Sequence, residues 1–255
     1  PAPWVNVIAN PNFGFLTSES GSGYTWSINS QENQLTAWSN DPVSDPPSEM
    51  MYVRDDETGE LWSPTPLPIR EDDGEYIVHH GHGYSRFEYD SHGIALELVQ
   101  FVPTDDPVKI SRLSITNHSS RARRLSVTAY LEWILGPSRG GSAPFVITEV
   151  DPSTNAMFAR NSWSRDFSNR IAFADLGGKQ TTWTADRTEF IGRNGTTERP
   201  AALSRCDKFS GRSRAALDPC CAMRTTIALA AGASAAVQFF VGPAATREEP
   251  RPLLL

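Results

Sequence analysis

Cysteine is scarce in this 255-residue chain, with Cys206, Cys220 and Cys221 as the whole complement. An odd count with two members adjacent cannot build a disulfide framework and points to a reducing compartment. Long apolar runs are missing as well: none approaches the ~20 residues a membrane helix needs. No signal-peptide pattern opens the chain. Positive charge is short, since 23 Lys and Arg against 30 Asp and Glu leave a net charge of −7. With no basic stripe or cluster, nucleic acid is excluded as a partner and an anionic membrane surface is disfavoured. An initiator Met is also absent. The chain starts at Pro1-Ala2-Pro3-Trp4 and ends in Pro250-Arg251-Pro252-Leu253-Leu254-Leu255, so the expectation is a piece of a longer protein.

Catalytic signatures are equally thin. No Gly-x-Ser-x-Gly elbow occurs. Gly21-Ser22-Gly23-Tyr24-Thr25-Trp26 lacks the third glycine and following helix of a phosphate loop, and reads as a hairpin turn. His79, His80 and His82 have no nearby acid or cysteine to close a zinc shell, so neither metal nor cofactor is expected. Cys220-Cys221 reads as buried packing. Asp41, Asp45, Glu49, Asp55, Asp56 and Asp72 supply carboxylates, but a glycosidase needs two facing across a cleft, one of them held protonated. No spacing establishes that. The sequons at Asn117 and Asn194 read as incidental in a chain with intracellular character.

What is present is strand periodicity. Hydrophobic residues at 39% and charged residues at 21% are ample for a core and argue against disorder. Leu125, Val127, Ala129, Leu131 and Trp133 alternate with polar neighbours, the period of a half-buried strand. Met223–Leu229, Val237–Val241 and Ile94–Leu98 repeat it, the last closed by Pro103. Val108-Ile110 and Leu113-Ile115 fall on opposite faces of a regular strand, and a bulge near Arg112 would reconcile them. Turn signals recur at Asp73-Gly74, Ser91-His92-Gly93, Asn117-His118-Ser119, Gly177-Gly178, Asn194-Gly195 and Ala231-Gly232. Many short strands without long helices between them predict an all-β antiparallel sandwich. One helix start is visible, Thr246-Arg247-Glu248-Glu249, and Pro250 and Pro252 stop it from running far.

A second pattern lies between residues 10 and 65. Tyr24, Trp26, Trp38 and Trp62 stand among Asn40, Asp41, Arg54 and Asp55, separated by glycine and proline turns. Aromatic rings cover the C–H faces of a sugar while amides, carboxylates and guanidinium groups bind its hydroxyls, the usual mixture of a ligand cleft. These eight residues are the candidate substrate-binding set. Core aromatics of a sheet protein are the competing reading.

Several segments fall in an order already known: Asn12-Phe13-Gly14, Gly23-Tyr24-Thr25-Trp26, Asn40-Asp41, Tyr52 with Arg54-Asp55, Trp62-Ser63-Pro64-Thr65 and His80-Gly81-His82-Gly83-Tyr84. From Trp4 to about Glu249 the chain resembles the family-94 glycoside phosphorylases, formerly glycosyltransferase family 36. Tyr130-Leu131-Glu132-Trp133-Ile134-Leu135-Gly136, the stretch from Asp186 to Gly195, and Leu217-Asp218-Pro219-Cys220 resemble the bacterial cyclic β-1,2-glucan synthase branch. The resemblance implies a large antiparallel super-sandwich, galactose mutarotase-like, over residues 1–243, with 244–255 opening a linker to an (α/α) barrel. It implies that the general acid lies on that barrel and that this chain contributes no catalytic residue. Partners implied are β-glucan oligosaccharide and inorganic phosphate by way of the parent protein, the barrel itself, and a second copy in a homodimer. The implied location is cytoplasmic, with the parent attached to the bacterial inner membrane. Two rival readings remain: an autonomous carbohydrate-binding module for β-glucan, and a mutarotase-like enzyme using His and Glu, for which no pair is favoured.

Overall fold

The structure is a computed structural model that describes residues 4–71, 74–205 and 207–244. Among these residues the strands are β1 (Val5–Asn10), β2 (Phe13–Ser18), β3 (Gly23–Ser27), β4 (Gln34–Thr36), β5 (Glu49–Asp55), β6 (Leu61–Trp62), β7 (Tyr76–Gly81), β8 (Tyr84–Ser91) and β9 (Ile94–Phe101). They continue with β10 (Lys109–Asn117), β11 (Arg123–Gly136), β12 (Val146–Val150), β13 (Met157–Asn161), β14 (Ile171–Asp175), β15 (Thr182–Asp186), β16 (Pro219–Leu229) and β17 (Ser234–Ala244). Three short helices, α1 (Arg139–Ser142), α2 (Arg187–Ile191) and α3 (Ala201–Arg205), decorate them.

The strands form two antiparallel sheets. One has nine strands, in the order β1-β2-β3-β4-β11-β16-β15 with β5 and β6 pairing beside β11; the other has eight, β12-β13-β14-β17-β10-β9-β8-β7. Leu125, Val127, Ala129, Leu131 and Trp133 of β11 meet Leu96, Leu98, Leu113 and Ile115 of the other sheet in one buried core. Burying such side chains is worth roughly 1.5–3 kcal/mol each, which is what holds the layers together. A polar tie crosses the same gap. Lys109 of β10 donates to Glu49 of β5 at 2.6 Å. Thr25 and Thr36 donate to the other carboxylate oxygen at 2.6 and 2.5 Å. Lys109 also lies over the Phe15 ring, 4.2 Å from its centroid. These bonds fix β3 and β4 against β5.

Three local expectations change. β10 keeps one continuous register with both β9 and β17, so no bulge forms at Arg112. Val108 and Ile110 instead belong to a separate apolar cluster with Phe158 and Phe173. β11 is buried on both faces rather than one, because α2, α3 and Phe209 cover its far side around Tyr130. α2 itself was not legible as an apolar-periodic helix; it forms because Asp186 caps it, accepting from the Thr188 N–H at 3.0 Å. The His92-Gly93 turn has φ of 56° and 72°, the two left-handed residues of a tight hairpin between β8 and β9. Cys220 and Cys221 are buried, and burial raises both thiol pKa values well above their ordinary range. Asp72, Asp73, Cys206 and the expected linker opening at Thr246–Glu249 lie outside the described residues. Among the described residues no helix is long and apolar enough to cross a membrane, and no group of three or more His, Cys, Asp or Glu side chains is placed to hold a metal ion.

Candidate carbohydrate site on the outer sheet face

Alternation along β11 sends Tyr130, Glu132 and Ile134 to the face turned away from the second sheet. Tyr130 is roofed by Phe190 of α2, stacked on it at 4.6 Å. Two residues on, the roof ends and Glu132 stands at the edge of a pocket of about 410 Å3. Its floor and walls include Trp38, Ser48, Ile134, Arg139 and Arg187.

Glu132 organises the charges. One oxygen accepts from Arg139 Nη1 at 2.6 Å. The other accepts from Arg187 Nε at 2.7 Å and from the Tyr130 hydroxyl at 3.1 Å. Arg139 also donates to Asp218, and Arg187 lies 3.7 Å from the same carboxylate. Two guanidinium groups thus balance two carboxylates. Burial disfavours the charge on Arg187, yet its bond to Glu132 and that carboxylate's field raise its pKa overall. Burial raises Tyr130 far above the phenol range, so its hydroxyl keeps the proton it donates. The framework is built from short elements: Ser138 caps α1 through the Gly141 N–H at 3.3 Å, and the Arg187 N–H donates to the Asp218 carbonyl at 2.8 Å. Both oxygens of Glu132 are occupied and Asp218 shares the same arginines, so the pair positions a ligand better than it would exchange protons with one.

Three of the eight sequence-nominated residues come together, and one of them, Trp38, lines this pocket. Tyr24 contacts Trp38 at 4.5 Å between ring centroids and Trp26 at 5.3 Å. Gly14 makes room for this ladder, because a Cβ there would lie 2.6 Å from both the Trp26 ring and Ala9 Cβ. Tyr24 is buried, Trp26 and Trp38 half-buried. Asn40 and Asp41 follow on an exposed loop that leaves the pocket at Ser39 and returns at Pro46. Asp41 is turned onto that loop, accepting from Ser44 Oγ at 2.6 Å and the Val43 N–H at 2.9 Å, which lowers its pKa. Asp45 pins the loop down by accepting from Ser18 and Ser20 at 2.5 and 2.6 Å.

The other three nominated residues stand apart, and two are interior. Trp62 is fully buried in the inter-sheet core, stacked on His92 at 4.8 Å. Asp55 is also fully buried, gripped by Arg123 at 2.6 and 2.7 Å and by the N–H groups of Glu57 and Thr58. Burial acts to raise its pKa, but the two N–H bonds and Arg123 lower it overall. Arg54 pairs with Asp56 at 3.2 Å. Neither Trp62 nor Asp55 presents a surface to a sugar, and both are structural. Conversely, Glu132, Arg139, Arg187 and Asp218 were not nominated. A charged residue inside the apolar run of β11 was the available signal for Glu132; nothing local marks Arg139. Asn117 of the first sequon is buried, donating to the Arg121, Leu229 and Ala230 carbonyls.

Comparison with known proteins gives this geometry a family. The glycosyl hydrolase 94 supersandwich domain matches residues 1–254. A cyclic β-(1,2)-glucan synthase, NdvB of Rhizobium meliloti, is 39% identical over 254 residues, covering 100% of this chain and 9% of that protein. The N,N'-diacetylchitobiose phosphorylase of Vibrio furnissii is 33% identical over 135 residues, 52% of this chain and 17% of that one. The chain therefore spans a small fraction of either relative's length. Among solved structures, a galactose mutarotase related enzyme from Lactobacillus acidophilus superposes with a TM-score of 0.52 at 9% identity, over 96% of this chain and 99% of that chain; it supports the fold alone. This chain belongs to the glycosyl hydrolase 94 supersandwich family.

Proposed function

We propose that this domain is a non-catalytic saccharide-binding scaffold of a longer protein that makes or phosphorolyses β-1,2-glucan. The observation that carries the reading is the charge-balanced Glu132–Arg139–Arg187–Asp218 cluster beside Trp38, on the open face of the nine-stranded sheet. Two guanidinium groups whose charge is already neutralised suit a ligand rich in hydroxyls rather than one rich in charge, and Trp38 supplies an apolar plane for a pyranose. The relatives' names, a glucan synthase and a phosphorylase, supply the substrate class.

In this reading inorganic phosphate attacks the anomeric carbon of a β-1,2-glucan held partly by this domain, on a barrel that follows it in the parent and bears the general acid. In the same reading the sandwich runs to the end of β17 at Ala244, one residue past the expected boundary at 243, and the residues after it lead toward that barrel. The buried free thiols of Cys220 and Cys221 accord with a cytoplasmic domain of an inner-membrane-attached parent. Calorimetric titration of the chain with linear and cyclic β-1,2-glucans tests the reading. Saturable binding that weakens in Arg187→Gln, with no release of glucose 1-phosphate, is the expected result. Turnover by the chain itself, or no binding at millimolar sugar, overturns it.

A further inference from the structure

The outer-face pocket has a separate neighbour beyond α1. On the far side of Pro137 lies a second pocket of about 250 Å3, walled by Glu32, Gly141, Ser142, Asn161, Trp163 and Arg165; Pro137 lines both. At its rim Trp163 is 74% exposed and Phe145 42%, their rings stacked 5.4 Å apart at 19°. A single exposed apolar residue needs no explanation, but two parallel rings beside a polar concavity form a surface built for contact.

The platform is held in place. Asn161 accepts from the Trp163 N–H at 3.1 Å and donates to the Leu135 carbonyl at 3.1 Å, tying the loop to the end of β11. Ser164 Oγ accepts from the Phe167 N–H at 3.2 Å. In sequence Gly140 falls between Arg139 of the first pocket and Gly141 of the second, and a Cβ on it would meet nothing within 4 Å. The second pocket is smaller than the ~300–1,000 Å3 of a complete ligand site, as a subsite would be. Its walls mix acids and a base, Glu32 and Asp166 with Arg165, which again suits a neutral, hydroxyl-rich ligand.

We propose that the Phe145–Trp163 platform and its pocket form a distal subsite for a neutral glucan chain whose other end occupies the Glu132–Arg187 pocket, the chain crossing at Pro137. The inference rests on the saccharide-binding reading above and extends it to chain length. Short saccharides engage one pocket; longer ones engage both.

The test titrates the wild-type chain and its variants with β-1,2-linked gluco-oligosaccharides of increasing length. In the wild type, affinity should climb with length and then level off. Trp163→Ala should weaken long oligosaccharides about three- to tenfold and leave the disaccharide unchanged, while Trp163→Phe restores most of the loss. Arg187→Gln should weaken every length. If Trp163→Ala binds every length like the wild type, the distal subsite is overturned and the first pocket stands, as it also would if the platform instead docked another segment of the parent. A uniform loss at all lengths in Trp163→Ala also overturns it, since the ring would then belong to the primary pocket. If Arg187→Gln changes nothing, or no saccharide binds, the saccharide-binding reading itself falls.

Discussion

Two arginine–carboxylate clusters stand toward opposite ends of β11, and they have opposite relations to water. At the start of the strand Arg123 grips Asp55, the pair being 4% and 0% exposed. Nine residues on, up to roughly 30 Å along an extended strand, Glu132 is shared by Arg139 and Arg187, each about one-third exposed. The first cluster stitches β5 to β11 and closes the Asp55–Glu60 turn. The second has an aromatic plane at its side and space before it. The chemistry of the pairs is the same; what differs is whether the surrounding chain closes over them. The lesson is that a motif of Arg and Asp beside aromatics does not by itself mark a binding site.

The sharpest way to break this contrast is Asp55→Ala. It leaves Arg123 buried without its partner and should cost about 3–5 kcal/mol in chemical denaturation. Glucan affinity of the folded fraction should stay as in the wild type. Acidification should act in the same direction on the buried pairs. Asp55 and Glu49 both have folded-state pKa values below their ordinary 3.8 and 4.5; for Glu49 burial alone would raise it, and Lys109 with the two threonines outweighs that. Their stabilisation is therefore full above about pH 4.5 and is lost as pH falls through the lowered values. Asp175, raised by burial, works the opposite way. Melting temperature followed from pH 7 to pH 3 should fall most steeply below pH 4; a flat profile would remove these pairs from the stability account.

Arg187→Gln tests the exposed cluster. It should weaken glucan binding about tenfold while changing stability by less than about 1 kcal/mol, because a partly exposed pair is screened. Equal losses in both measurements would make the second cluster as structural as the first. Trp38→Ala should weaken binding about fivefold, read by the same titration. Smallest of all should be Val43→Ser: Val43 is 93% exposed at the tip of the Asn40–Asp45 loop, and its replacement should shift stability within about 0.5 kcal/mol. A larger loss would mean that the loop packs onto the domain.

Much of the fold was legible because alternation has a direct physical cause: successive side chains of a strand point to opposite faces. The runs at 94–98, 125–133, 223–229 and 237–241 all became strands. The bulge at Arg112 did not form, because the outward face of β10 has an apolar cluster of its own to receive Ile110. The site was legible only in part. Tyr24 and Trp26 meet because they stand two residues apart on one face of β3, and Trp38 joins them from the loop that follows β4. Trp62 failed as a candidate since its strand, β6, pairs at Val53 and points the indole into the core. Arg139, Arg187 and Asp218 come from three separate short connections, and no local pattern links them to Glu132.

By composition and periodicity alone, this chain was committed to antiparallel sheets with a shared apolar interior, and its ordered motifs fixed its kinship. Local sequence decides these things because strand alternation and turn chemistry act over a few residues. Which arginines lie open and which are sealed was settled only in three dimensions, where Phe190 of α2 covers Tyr130 while Arg187, at the start of the same helix, stands at the pocket beside Glu132. Exposure depends on what packs over a side chain, and here much of that cover is distant in sequence, as with Phe190 over Tyr130 and Asp55 against Arg123.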